Sequence, residues 1–111
     1  MPREVWQFGE KGTSFYDNQV KYINLRYRLL PYIYSMSHQV TADHYTLLRG
    51  LAMDFTADTR TFDVDNAYMF GTSFLVRPVF HSQSEEKNVT VYLPEHEGRY
   101  WYDFWTGEAF N

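Results

Sequence analysis

Cysteine is absent from these 111 residues, which rules out disulfides, thiolate metal sites and cysteine nucleophiles and leaves no mark of the redox compartment. Runs of lysine or arginine are absent as well. With 10 basic against 14 acidic residues and a net charge of −4, no basic face exists to neutralise phosphates, and nucleic acid is excluded as a partner. No apolar run approaches the roughly 18–20 residues of a membrane-spanning helix, so no membrane partner is expected. Met1-Pro2-Arg3-Glu4 lacks the pattern of a secretory leader and reads as a boundary inside a longer sequence. The 6 glycines form neither a dinucleotide fingerprint nor a phosphate-binding loop. No internal repeat or low-complexity tract is present, and the compartment leaves no signature.

Aromatic residues, by contrast, are in excess, at 20% of the chain with 10 Tyr, 9 Phe and 3 Trp. They concentrate in Tyr100-Trp101-Tyr102-Asp103-Phe104-Trp105, ahead of Thr106-Gly107. Each such ring buries about 150–250 Å², so the run requires a broad apolar partner or a ligand that stacks on ring faces. A chain of this length hides about two-thirds of its unfolded surface and is one domain's worth of sequence.

The chain divides into two kinds of pattern. Residues 1–13, with Gly9 and Gly12, form a loop. Ser14 is expected to cap a helix over 15–40, with Asp17 favouring its positive end, and Pro31 should bend the axis. Val20, Ile23, Tyr27, Leu30 and Tyr34 make one apolar stripe on that helix, and Tyr22, Leu25, Leu29, Ile33 and Met36 make a second. A helix apolar over most of its circumference belongs inside a larger body than this chain provides. Residues 45–55 read as a buried parallel strand, and the polar stretch 56–67 as a surface connection. Short β-rich runs then follow at 73–80, 89–93 and 99–103, with turn material at 81–87 and 94–98, so residues 71–111 are expected to be antiparallel β.

Several blocks together resemble glycoside hydrolase family 31, which includes α-glucosidases and α-xylosidases. They are Arg3-Glu4-Val5-Trp6, the segment from Leu25-Arg26-Tyr27-Arg28 through Pro31-Tyr32-Ile33-Tyr34-Ser35, Met69-Phe70-Gly71, Phe74-Leu75-Val76 before Pro78-Val79, Val91-Tyr92-Leu93-Pro94, and Trp101 through Gly107. The resemblance spans nearly the whole chain. It implies an α+β piece of such an enzyme: the last helix and strand of a (β/α)₈ catalytic barrel in residues 1–56, a connection in 57–67, and the opening antiparallel strands of a β-sandwich in 68–111. It also implies hydrolysis of terminal α-xylosidic or α-glucosidic bonds with retention by the full-length parent. The nucleophilic aspartate and the acid/base aspartate have no matching positions here, so the isolated chain is expected to be inactive. Its partners would be the rest of the parent barrel and the parent's carbohydrate substrate. Gly50, where the family pattern has proline, and Arg77 before Pro78 depart from the family.

Among individual residues, Asp54 stands where barrel enzymes place catalytic carboxylates. Retaining hydrolysis needs a second carboxylate about 5–5.5 Å away, and only Asp43 is near in sequence, so Asp54 reads as structural or solvent-facing. Asp63 and Asp65 fit turns and caps. Trp101 and Trp105 are candidates for sugar stacking, in the family reading or in the alternative of an autonomous carbohydrate-binding β-module with a Trp/Tyr face. Arg3, Glu4 and Trp6 are, by resemblance, substrate-adjacent. His38, His44, His81 and His96 show no helical i, i+4 pair, so neither a metal nor any other cofactor is expected. Asn88-Val89-Thr90 is a formal glycosylation sequon that reads as a strand edge. Arg26 and Arg28, on an apolar helix, are expected to be buried and paired with groups outside it.

Overall fold

The computed structural model describes residues 3–80, 82, 88–96 and 98–110. They fall into two compact units, one ending at Tyr45 and the other beginning at Thr46. The turn expected at 81–87, apart from Ser82, the residue Glu97 in the 94–98 turn and the first two residues of the chain lie outside the described residues.

The first unit is helical. A 3₁₀ turn at Val5–Phe8 is closed by the Gln7 N–H on the Glu4 carbonyl (2.9 Å) and by the Glu4 N–H on Gln7 Oε1 (2.9 Å). Helix α1 then spans Ser14–Arg28. Its N-cap is Thr13 rather than Ser14, and the Thr13 hydroxyl donates backwards to the Glu10 carbonyl at 2.7 Å. Asp17 sits in the first turn as the helix dipole favours, where its Oδ1 accepts from the Gly12 N–H at 3.1 Å. Gly9 is required at its position, because a Cβ there would lie 2.5 Å from Thr13 Oγ1.

The single bent helix expected over 15–40 is two helices. Leu29, at φ −84° and ψ −5°, ends α1, and α2 runs over Leu30–Ala42. The break falls just ahead of Pro31, which occupies the first turn of α2, where its missing N–H leaves no helical bond unmade. Of the two stripes, Leu25, Leu29 and Ile33 are half-buried and Met36 is buried. The other lies open at Ile23, Tyr27, Leu30 and Tyr34. Arg26 and Arg28 are exposed in the last turn of α1, contrary to the expected burial. Their charge there complements the helix C-terminus.

The second unit contains a three-stranded antiparallel sheet of β1 (Leu48–Gly50), β2 (Tyr68–Phe70) and β3 (Phe74–Val76). Arg49 pairs with Met69 and Met69 with Leu75. Gly71, at φ 65°, turns the β2–β3 hairpin. The parallel strand expected over 45–55 is thus three residues long and antiparallel, and Leu51–Asp54 forms one helical turn, α3. A short apolar run satisfies a buried strand and a buried helical turn equally well by pattern. β1 is hydrogen-bonded to β2 within this unit.

The core gathers Leu51, Ala67 and Met69, against which Phe55, Val64, Leu75 and Trp101 pack. Between α3 and β2, a 3₁₀ turn at Thr59–Asp63 crosses the connection. Residues 88–96 adopt neither helix nor strand, so the strand expected at 89–93 is absent and the sequon at Asn88 is not a strand edge. β4 (Trp101–Tyr102) pairs antiparallel with β5 (Ala109–Phe110) across a tight turn.

Candidate functional site

The densest polar constellation centres on Asp58, the N-cap of the Thr59–Asp63 turn. Its carboxylate is buried and accepts from the Arg60 backbone N–H at 3.2 Å, from Arg60 Nε at 3.0 Å, and from the Glu95 N–H at 3.2 Å. The Tyr92 hydroxyl donates to the same carboxylate, and the Arg60 guanidinium lies 5.3 Å from the Tyr92 ring centre. The guanidinium of Arg60, then the Tyr92 hydroxyl, hold Asp58 well below the usual carboxylate range, against the opposing pull of burial. Burial first, and then donation to Asp58, push the Tyr92 phenol up. Asp58 also lifts the Arg60 guanidinium further. Two segments distant in sequence, 58–60 and 92–95, are thereby tied to one carboxylate.

Beside this cluster opens a cleft of about 390 Å³. Leu93, Pro94 and Trp101 supply its apolar side, and Arg60, Glu95, His96 and Arg99 its polar side. Trp101 is fixed there: its indole N–H donates to the Pro94 carbonyl at 2.8 Å and its ring meets Phe55 at 5.7 Å between centres. His96 presents its ring edge-on to the same Phe55 at 5.8 Å.

Trp105 sits elsewhere, in the β4–β5 turn. Asp103 Oδ1 accepts from the N–H groups of Trp105 (2.9 Å) and Thr106 (2.7 Å), and Gly107, at φ 76°, completes the turn. The donors of Thr106, ahead of Trp105, keep the Asp103 carboxyl low. Trp105 is 56% exposed, and its ring packs on Phe104, which in turn meets Phe74. The two indoles therefore belong to different aromatic groups, one in a cleft and one on a turn.

Arg3, Glu4 and Trp6 lie together at the 3₁₀ turn of the first unit, all exposed. Asp54 forms an ion pair with Arg49, its two oxygens 2.9 and 3.0 Å from Nε. Of the histidines, His38 and His44 are in the first unit, His96 lines the cleft and His81 lies outside the described residues. Asp58 went unselected by sequence reasoning, since its partners Tyr92 and Glu95 are 34 and 37 residues away.

Comparison with known proteins turns these observations into a family. Residues 44–111 match the glycosyl hydrolase family 31 C-terminal domain, and residues 1–36 match the TIM-barrel domain of the same family. The chain belongs to glycoside hydrolase family 31. Within the family, it is 47% identical over 107 residues to an α-xylosidase of Saccharolobus solfataricus, covering 96% of this chain and 14% of that protein. It is 35% identical to a probable glucan 1,3-α-glucosidase of Arabidopsis thaliana, covering 97% of this chain and 11% of the relative. A crystal structure of a family 31 α-xylosidase from Xanthomonas citri superposes with a TM-score of 0.68 at 40% identity, over 71% of this chain and 9% of that one. The family 31 chain described here thus spans a small part of the length of these relatives. Its Asp58 cluster and its cleft both fall inside the stretch matched to the C-terminal domain, and the open stripe of α1 and α2 inside the stretch matched to the barrel.

Proposed function

We propose that this chain serves a retaining α-glycosidase as the place where the last helix of the catalytic barrel leads into the β-sandwich that follows. The full protein hydrolyses terminal α-xylosidic or α-glucosidic bonds, and the two carboxylates of that chemistry come from residues outside these 111. The residues here close the barrel and seat the next domain.

The observation that carries this reading is the open apolar stripe. Ile23, Tyr27, Leu30 and Tyr34 remain exposed, Tyr34 at 81%, on helices whose other stripe is half-buried at Leu25, Leu29 and Ile33, buried at Met36 and open at Tyr22. A side chain of this kind contributes about 1.5–3 kcal/mol when removed from water, so four of them favour a large apolar neighbour such as the remaining barrel. The relatives' names support the substrate class. Arg3, Glu4 and Trp6 are proposed to shape the wall of that barrel's pocket.

Turnover of 4-nitrophenyl α-D-xylopyranoside and α-D-glucopyranoside tests the proposal on the 111-residue chain and on the longer protein that contains it. The longer protein is expected to release nitrophenol from at least one of them, and the isolated chain from neither. Activity that co-purifies with the isolated chain would overturn the assignment of the chemistry to residues outside it.

A further inference from the structure

We infer that the cleft between Trp101, Arg60 and Arg99 binds a neutral sugar, as a monosaccharide or disaccharide. The inference stands on the cleft itself and not on the glycosidase reading. Its volume of about 390 Å³ lies within the range of roughly 300–1,000 Å³ that small-molecule sites occupy. One side is apolar and rigid. Pro94 is fully buried and its carbonyl anchors the Trp101 indole N–H, while Phe55 backs both Trp101 and His96. A pyranose presents apolar C–H groups on its faces, and a fixed, half-buried indole with Leu93 beside it is a fitting surface for them.

The other side is polar and balanced. The guanidinium of Arg60 is steered by Asp58 and lies 3.8 Å from a Glu95 carboxylate oxygen. Its Nη1 takes no partner among the described residues, nor does the Arg99 side chain. His96 adds a ring that is both donor and acceptor. Asp58 neutralises Arg60 from behind the lining, and Arg99 and Glu95 carry opposite charges within it, so among the described residues the cleft has no excess charge to select an anion or a cation. Glu95, 82% exposed at its side chain, would repel a phosphate or a uronate. A neutral polyol offers donors to Glu95 and acceptors to Arg60 and Arg99 at once without bringing a charge into the cleft. Arg99 follows a turn in which its N–H donates to the His96 carbonyl at 3.0 Å and Gly98 takes φ 68°.

The test is an amide and indole NMR titration of the 111-residue chain with xylose, isoprimeverose and maltose, run beside glucuronate and inorganic phosphate. At least one neutral sugar is expected to shift the Trp101 indole and the amides of Glu95, His96 and Arg99 with a Kd on the order of millimolar. The Trp105 indole should stay still. Arg99→Ala changes an exposed side chain and is expected to weaken that sugar roughly fivefold by removing one hydrogen bond, whereas Trp105→Ala leaves it unchanged. No shift at Trp101 with any neutral sugar, a shift confined to Trp105, or preference for glucuronate or phosphate would each overturn the proposal. Because the glycosidase reading is judged by turnover, the two can fail separately.

Discussion

Asp58 accepts from Arg60, Tyr92 and Glu95, so one carboxylate fixes the connection between α3 and β2 to the segment that leads into β4. Its proton affinity is lowered in the folded chain, which means the folded state favours the ionised form. That contribution is complete above the unfolded carboxylate value of about 3.9. It is lost as pH falls below that point towards the depressed folded value. Tyr92 runs the opposite way: its raised phenol favours folding until pH climbs through about 10, where the unfolded phenol ionises first. Urea unfolding of the second unit across pH 2.5–11 is therefore expected to show an acid limb that Asp58→Asn flattens and an alkaline loss. A Tyr92→Phe variant should reduce the alkaline loss and leave most of the acid limb in place. An acid limb unchanged by Asp58→Asn would show that other carboxylates govern it. In the core, Leu51 is 1% exposed, and Leu51→Ala should cost about 2–5 kcal/mol in the same measurement through lost burial and the cavity left behind. Neither distant partner of Asp58, Tyr92 or Glu95, could be read from the local sequence, because Asp58 lies in a polar stretch whose composition is that of any surface connection. The role of Leu51 was legible as burial, although not as a helical turn.

At the scale of elements, two helix ends show what local pattern does and does not carry. The break at Leu29 follows from the proline, since a residue without an N–H is accommodated in a first helical turn and not in an interior. The sequence thus located the irregularity, while the choice between a bend and a break depended on how α1 and α2 pack. The C-terminus of α2 carried no such mark. The chain closes it with Asp43 and Tyr45 N–H groups on the Gln39 carbonyl, at 2.9 and 3.3 Å, and with His44 at φ 56°. Glycine is the usual residue for that left-handed position, and a side chain there is disfavoured. His44→Gly is expected to stabilise the helical unit by about 1 kcal/mol, measured by thermal unfolding followed at 222 nm, and His44→Val to destabilise it. Equal stability of all three would mean that the end of α2 frays in solution. The antiparallel pairing of β1 was hidden for a different reason: its partner β2 lies across the connection, and three residues of alternating exposure are too few to distinguish strand direction.

For the whole molecule, the helical pattern was the most legible feature and its consequence the most general. Two apolar stripes on one helical segment signalled more apolar surface than a single small unit can cover. The structure separates them into a half-buried stripe, at Leu25, Leu29, Ile33 and Met36, and an open one. The β half was less legible, since turns and aromatic density gave β4 and the Asp103–Gly107 turn, whereas 89–93 has a strand's composition without a strand partner. The open stripe makes a prediction that the covered one does not share. Apolar side chains left in water associate with whatever apolar surface is present, and in a solution of the isolated chain that surface is another copy. Sedimentation equilibrium should give an apparent mass that rises with concentration. Tyr27→Glu with Tyr34→Glu, which places charge on positions 67% and 81% exposed, should return the mass towards 13.3 kDa with the helical circular dichroism retained. Leu29→Glu, on the half-buried stripe, should instead lower helix content and thermal stability, because it puts a charge where the unit needs apolar contact. If the native chain keeps one mass at all concentrations, the open stripe does not act as a contact surface by itself. If the double variant unfolds as Leu29→Glu does, the open stripe is part of the unit's own packing and the need for an outside neighbour disappears.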